Sequence, residues 1–304
     1  MGHSEYENQN ILPMIYMIHM PVFFVVSGYL FNANKPLKKI TKSNVKGLLI
    51  PYILFNLLFA TYWTVIGVLK VSVGQAFDWS ACLINPAYKF VFGIALGNFD
   101  GPTWFLLALI WCKYMTYLLH NGKKYQKLGV VALWMVLFYV RIRTGQHFIF
   151  ALDCACAGVV WFEAGQIVRR NKWNIKVPAF MYLLCVLIGF VACYYFMKTN
   201  GMCNYILADM NGVIGVFGSA CGLVAFFSLC KLLSPYSNSF IVLVSKASIV
   251  IMCLHMMINV PLNRSIHYWN HSLYTFSVDF LMVIVLALVY PLIKRYAPAF
   301  VGGR

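Results

Sequence analysis

An all-α, polytopic bundle of membrane-spanning helices is the fold class this sequence predicts, and three observations predict it. First, 62% of the 304 residues are hydrophobic and only 11% are charged, less than half of the roughly 25% usual in soluble domains; the mean hydropathy is +0.75. Second, the apolar residues gather into runs of about 20, and at 1.5 Å per residue such a run crosses the ~30 Å hydrocarbon layer. Third, the 24 lysines and arginines, against 8 aspartates and glutamates, fall mostly in the short connections between those runs, as membrane topology demands. The formal net charge of +16 therefore reads as topology. A lipid bilayer is the expected partner and nucleic acid is not.

Taken in order, the runs place spans near residues 11–31, 48–69, 103–119, 128–142, 147–168, 177–197, 212–232, 239–260 and 273–292. The first holds His19 and Pro21 inside a stretch without lysine, arginine or carboxylate. Between the second and third spans lies a connection of about 30 residues, in which 88–96 can form a short interfacial or re-entrant helix. No segment is large enough to stand apart as a soluble domain, so residues 1–304 read as one integral membrane domain. The inverted repeat that many transporters show is not visible. Ten cysteines include no Cys-x-x-Cys pair; they read as small buried hydrophobes, and neither a metal site nor a disulfide framework is expected.

Lys35, Lys38, Lys39, Lys42 and Lys46, then Lys123, Lys124 and Lys127, then Arg169, Arg170, Lys172 and Lys176, then Lys294, Arg295 and Arg304 all fall on one side if the spans alternate. Basic loops face the cytoplasm, so the C-terminus is expected there. Nine crossings would leave Met1 outside, an awkward arrangement for a chain opening Met1-Gly2-His3-Ser4. The expectation is one further helix ahead of His3, ten crossings in all.

Several side chains can carry chemistry, each with a plainer alternative. His19 is either a proton acceptor or a partner for a neighbouring helix; such bonds within membranes are worth ~0.6–2 kcal/mol. His255 reads as structural, and His147, His267 and His271 as wet surface near helix ends. Asp153 and Glu163 lie in one helix but ten residues apart, about 280° after whole turns, so they share no face and do not form a catalytic carboxylate pair. Both should avoid lipid, where a charge costs at least ~2.5–3.5 kcal/mol. Arg141 and Arg143 lie across a short outer connection from Asp153, which suits a structural ion pair; their outer position also makes them candidates for an anionic acceptor. Trp104 follows the turn signal Asp100-Gly101-Pro102 and opens a helix near an interface, either as a belt anchor or against substrate. The lysines from 35 to 46 satisfy topology alone, or else hold phosphate.

The residues His19-Met20-Pro21, Phe23-Phe24 and Ser27-Gly28-Tyr29-Leu30-Phe31 resemble the second helix of the acyltransferase-3 membrane proteins, in particular their fucose 4-O-acetylase-like branch. The basic loop leading into Leu48-Leu49-Ile50-Pro51-Tyr52, the block Gly101-Pro102-Thr103-Trp104-Phe105-Leu106, and Lys246-Ala247-Ser248 with Leu254-His255 resemble further blocks of that family. Gly2-His3-Ser4 is similar to the end of the family's first helix, where an arginine precedes a histidine with ten residues between them; here that arginine would fall before residue 1. Lys42 and Lys46, four apart, stand where the family has two arginines three apart.

The resemblance implies an O-acyltransferase that moves an acyl group, acetyl in the usual case, from cytoplasmic acetyl-CoA to a hydroxyl of a cell-surface or exported carbohydrate or glycolipid. Acetyl-CoA would be a co-substrate, with no resident cofactor, and the setting a bacterial plasma membrane. It implies His3 as catalytic base, with His19 a further candidate, Lys42 and Lys46 at the donor, and Trp104 at the acceptor, where Arg141 and Arg143 are candidates by their outer position alone. Neutral imidazole suits the task because its pKa lies near 6.5 and general-base help is worth roughly 10²–10⁴-fold. A transporter or flippase for a polysaccharide precursor is the reading from another class, and a catalytically dead remnant a third.

Overall fold

The computed structural model describes residues 11–95, 99, 101–171, 177–201, 203–205, 209, 211–265 and 272–302. His3, His267 and His271 lie outside the described residues. Among those described there are twelve α-helices: α1 (Ile11–Leu30), α2 (Leu37–Asn44), α3 (Ile50–Ser72), α4 (Asn85–Val91), α5 (Trp104–Asn121), α6 (Lys124–Thr144), α7 (Leu152–Arg170), α8 (Ala179–Asn200), α9 (Gly212–Leu233), α10 (Ser239–Lys246), α11 (Ser248–Ser265) and α12 (Ser272–Tyr296). No strand occurs among them; Asn204 and Asp209 form one isolated bridge. The chain is an all-α polytopic bundle.

Seven helical stretches are long and apolar enough to cross a bilayer, and α10 with α11 makes an eighth span bent by 72°. The difference from the nine expected spans is α5. It has the length, at 18 residues, but Lys113, His120, Asn121 and its tyrosines dilute its hydropathy, and it is buried instead through Trp104, Phe105, Leu106, Leu107 and Ala108. The expected single span 239–260 is broken at Ala247, which is fully buried in a cluster with Val250, Ala287, Tyr290 and Val301. The short helix expected within 88–96 is α4, slightly earlier and preceded by a wide turn at Ser80–Ile84.

The chain divides into two compact units. The first comprises Met1–Asn34, Trp111–Gly145 and Asp153–Ile241, the second Lys35–Ile110, Gln146–Leu152 and Val242–Arg304.

In the first unit, α1 and α7 meet backbone to backbone. A Cβ added at Gly28 would lie 2.0 Å from the Phe162 carbonyl oxygen, and one at Gly165 2.1 Å from that of Val25. Small residues permit this approach, which is how helices associate where lipid removes the hydrophobic driving force. Helix α1 ends without a glycine cap, so its last carbonyls need outside donors. Gln166 Nε2 donates to Gly28 and, at 2.7 Å, to Phe31. Arg169 Nη1 reaches Phe31 at 2.5 Å and Tyr29 at 3.3 Å, and Asn121 Nδ2 reaches Ala33 at 2.8 Å. A cation is also what the negative end of a helix dipole favours. Between α8 and α9, Tyr205 is buried, accepts a bond from Trp161 Nε1 at 2.7 Å and approaches Ser219 Oγ at 3.5 Å. Burial pushes its phenol upward and the neighbouring Cys203 thiol up to about 11.

In the second unit, α2 and α3 run as one rod, Leu37–Ser72, through a widened π turn at Val45–Leu49. At 1.5 Å per residue its 36 residues reach about 54 Å, well beyond the ~30 Å hydrocarbon layer. Residues 47–69 carry no charged side chain and are the part that fits that layer, so α2 and its lysines extend into headgroup and water. Tyr52 Oη donates to the Phe90 carbonyl at 2.7 Å. Asn56 Nδ2 donates to Tyr52 O and Thr103 Oγ1, both at 2.9 Å, which fixes the turn that opens α5. Phe55 packs edge-on against Phe300 at 5.0 Å, tying in the C-terminal turn Pro298–Val301.

Candidate functional site

The spacing of α2 puts Lys39, Lys42, Ser43 and Lys46 at i, i+3, i+4 and i+7, one helical face. With Gly47 and Gly302 they line a cavity of about 300 Å³, at the lower end of the ~300–1,000 Å³ of ligand pockets. Gly302 has φ +75, and a Cβ there would come 2.8 Å from Gly47 Cα, so the floor is backbone and the walls are ammonium groups and a hydroxyl. Among the described residues no carboxylate lines the cavity. Such a site attracts a multiply charged anion, with lysines acting as point charges rather than as planar forks. The two lysines singled out from the sequence share this cavity, and Lys39 joins them.

The far side of α2 from the lysines carries Ile40, Asn44 and Leu48, all buried. Asn44 is 2% exposed, and neither its Oδ1 nor its Nδ2 has a hydrogen-bond partner among the described residues. A buried polar group left without a partner costs ~1–3 kcal/mol.

In the first unit, His19 is half-buried in α1. Its Nδ1 lies 2.9 Å from the Ile15 carbonyl and its ring meets Tyr16 edge-on at 5.2 Å. A carbonyl only accepts, so the neutral ring holds its proton on Nδ1 and keeps a lone pair on Nε2, the form a general base requires. His255 has the same tautomer, with Nδ1 2.7 Å from the Met252 carbonyl.

A polar cluster that the sequence did not reveal lies between α5 and α7. Thr116 Oγ1 donates to Glu163 Oε1 at 2.5 Å, His120 Nε2 lies 2.9 Å from Glu163 Oε2, and Arg170 Nη2 lies 3.1 Å from the same ring nitrogen. The signals were present: Thr116 and His120 share a face at i and i+4, and Glu163 is an acid in an apolar helix that must turn inward. What was missing was the pairing of segments more than 40 residues apart.

The remaining candidates are separated by their surroundings. Arg141 is buried, its Nε 3.4 Å from Asp153 Oδ2, and Asp153 is fully buried, the arrangement of a structural ion pair. Arg143 is exposed and its guanidinium lies 5.4 Å from the Tyr139 ring centre. Trp104 is 5% exposed, enclosed rather than set at a lipid-facing surface. Asp153 and Glu163, on one helix, have entirely different partners, as their angular separation requires. Among the described residues no group of three or more histidines, cysteines or acids is placed to hold a metal.

An all-α set of helices long and apolar enough to cross a bilayer is the fold of an integral membrane protein. The acyltransferase domain family matches residues 1–296; the chain belongs to the acyltransferase-3 family and is a membrane acyltransferase. No curated protein and no solved structure matches it.

Proposed function

We infer that this protein transfers an acyl group, acetyl in the simplest case, from acyl-CoA to a hydroxyl of a cell-surface or exported carbohydrate, in the manner of the fucose 4-O-acetylase-like branch. The observation that carries the donor half is the cavity lined by Lys39, Lys42, Ser43 and Lys46, with no carboxylate among its described lining residues. Coenzyme A would bring phosphates to that site; the basic loops support a cytoplasmic side for it and for the C-terminus, and the family resemblance supports a bacterial plasma membrane.

In the acyl transfer, the acceptor oxygen attacks the thioester carbonyl while a neutral imidazole takes its proton. The tetrahedral intermediate then expels the CoA sulfur, the C–S bond breaks, and the imidazolium returns the proton to the thiolate. His19 keeps the required lone pair on Nε2 because Ile15 holds the other nitrogen's proton. His3 is the second base candidate on the strength of the family motif. Trp104, Arg141 and Arg143 are the acceptor-side candidates, Arg143 being the exposed one.

The test uses purified full-length chain in nanodiscs, with CoA thiol release from acetyl-CoA measured with and without acceptor glycan. Release that depends on the acceptor and falls roughly 10²–10⁴-fold in His19→Gln supports this reading. Unchanged turnover in His19→Gln removes His19 from the mechanism. Glycan movement with no acetyl transfer overturns the enzyme reading.

A further inference from the structure

We propose that Gly302 is a positioning residue for the acyl donor: its bare Cα lets the C-terminal turn sit directly on the backbone of Lys46 and Gly47, which sets Lys46 at the edge of the cavity that receives the phosphates. The proposal rests on the acyl-CoA reading above and adds to it a residue and a segment, the end of the chain.

Two distant parts of the sequence build this cavity. Lys39, Lys42, Ser43, Lys46 and Gly47 come from α2 and the π turn that follows it, and Gly302 comes from the residue that ends the turn Pro298–Val301. A lone helix is a cylinder and offers its lysines on a convex face. Gly302 supplies the opposing surface that makes the face concave, and it does so by touching the segment that carries Lys46. A Cβ at position 302 would lie 2.8 Å from Gly47 Cα and 3.4 Å from the carbonyl oxygens of Gly47 and Lys46. Backbone cannot swing aside as the end of a side chain can, so a Cβ there drives the two segments apart.

Anchoring decides which segment moves. The C-terminal turn is held from beneath: Val301 is buried in the cluster with Ala247, Val250, Ala287 and Tyr290, Phe300 meets Phe55 edge-on at 5.0 Å, and the Gly302 N–H closes on the Ala299 carbonyl at 3.3 Å. Its counterpart, Val45–Leu49, is a π turn, a local departure from the regular helical ladder of the kind frequent at functional sites. Displacement therefore falls on the backbone of Lys46 and Gly47, and the ammonium group of Lys46 moves with it.

Glycine at 302 meets two separable needs. Its φ of +75 lies in the left-handed region, which glycine adopts freely and asparagine tolerates better than most residues. The contact with Gly47 and Lys46 is a different demand, because asparagine carries a Cβ as alanine does. Backbone conformation alone would accept asparagine; the contact rejects it.

The experiment uses full-length chain in nanodiscs of neutral lipid and measures equilibrium binding of CoA alongside thermal unfolding. Wild type is compared with Gly302→Ala, Gly302→Asn and Lys46→Gln, and with each Gly302 substitution combined with Lys46→Gln. The expected result is a rise of about two- to fivefold in the Kd for CoA in both Gly302 variants, the worth of one exposed lysine contact. Added to Lys46→Gln, neither substitution should raise the Kd further, since positioning a side chain that is gone has no value. Wild-type affinity in folded Gly302→Ala overturns the proposal. Wild-type affinity in Gly302→Asn with a loss in Gly302→Ala overturns it too, tracing the effect to backbone conformation. Losses that add to that of Lys46→Gln assign Gly302 a structural role and overturn its link to Lys46. Should Gly302→Ala not fold, Gly302→Asn in the two backgrounds carries the same test. Failure of the wild-type chain to bind CoA overturns the donor reading and the proposal together, a result distinct from the others because it precedes any substitution.

Discussion

The end of α1 and the lysine face of α2 are both polar regions at the edge of apolar helices, and they handle polarity in opposite ways. At the end of α1, carbonyls of Gly28, Tyr29, Phe31 and Ala33 receive donors from Gln166, Arg169 and Asn121. At α2, three lysines share a cavity lined by no carboxylate among the described residues, and on the other side of the helix Asn44 is buried without a partner among them. Polar groups matched inside the protein contribute to folding, because removing one strands the other. Polar groups of one sign carry a folding cost that a ligand can relieve. The contrast separates what holds this protein together from what it uses.

Three substitutions probe that contrast through folding stability, beginning with the largest effect. Gln166→Ala leaves the Gly28 carbonyl with only the Phe31 N–H at 3.1 Å, leaves the Phe31 carbonyl to Arg169 alone and opens a void. Its expected cost is about 2–4 kcal/mol, read as a lower midpoint in thermal unfolding of the detergent-solubilised chain. A loss below the error of that measurement would break the comparison at its structural side. Thr116→Val removes the hydroxyl that donates to Glu163 while keeping the volume. Glu163 keeps His120, and its side chain is 25% exposed, so about 1 kcal/mol is expected. The triple change of Lys39, Lys42 and Lys46 to glutamine should leave stability within about 0.5 kcal/mol per site, as surface changes do. The same variant should raise the KM for acetyl-CoA roughly 10–100-fold, on ~0.5–1 kcal/mol for each lysine removed. High salt should erase most of that difference. A destabilised triple variant with unchanged KM would reverse the roles assigned to the two regions.

His19 and Glu163 mark how far sequence reasoning reaches. For His19, the polar residue inside an apolar run was visible, and its tautomer follows from a local contact four residues away. For Glu163, periodicity gave the face and ruled out a pair with Asp153. Its actual partners, Thr116 and His120, come from a helix 43 and 47 residues away. Asn44 lies between these cases. The stripe Ile40, Asn44, Leu48 emerges only once the basic segment is seen to be helical, and its polar interruption has meaning only once neighbouring elements fail to supply a partner.

Sequence alone determined the solvent, the helical class, most of the runs that cross the bilayer and the basic connections, because hydropathy and charge are local properties that survive without knowledge of neighbours. Tertiary structure alone decided that α5 is enclosed by protein, that the span after α10 bends at Ala247, that side chains from α5 and α7 cap α1, and that Asn44 is buried with its carboxamide unmatched among the described residues. Those outcomes depend on which segments approach one another, and hydrogen bonds and close packing act over a few ångströms between residues that the chain order leaves far apart.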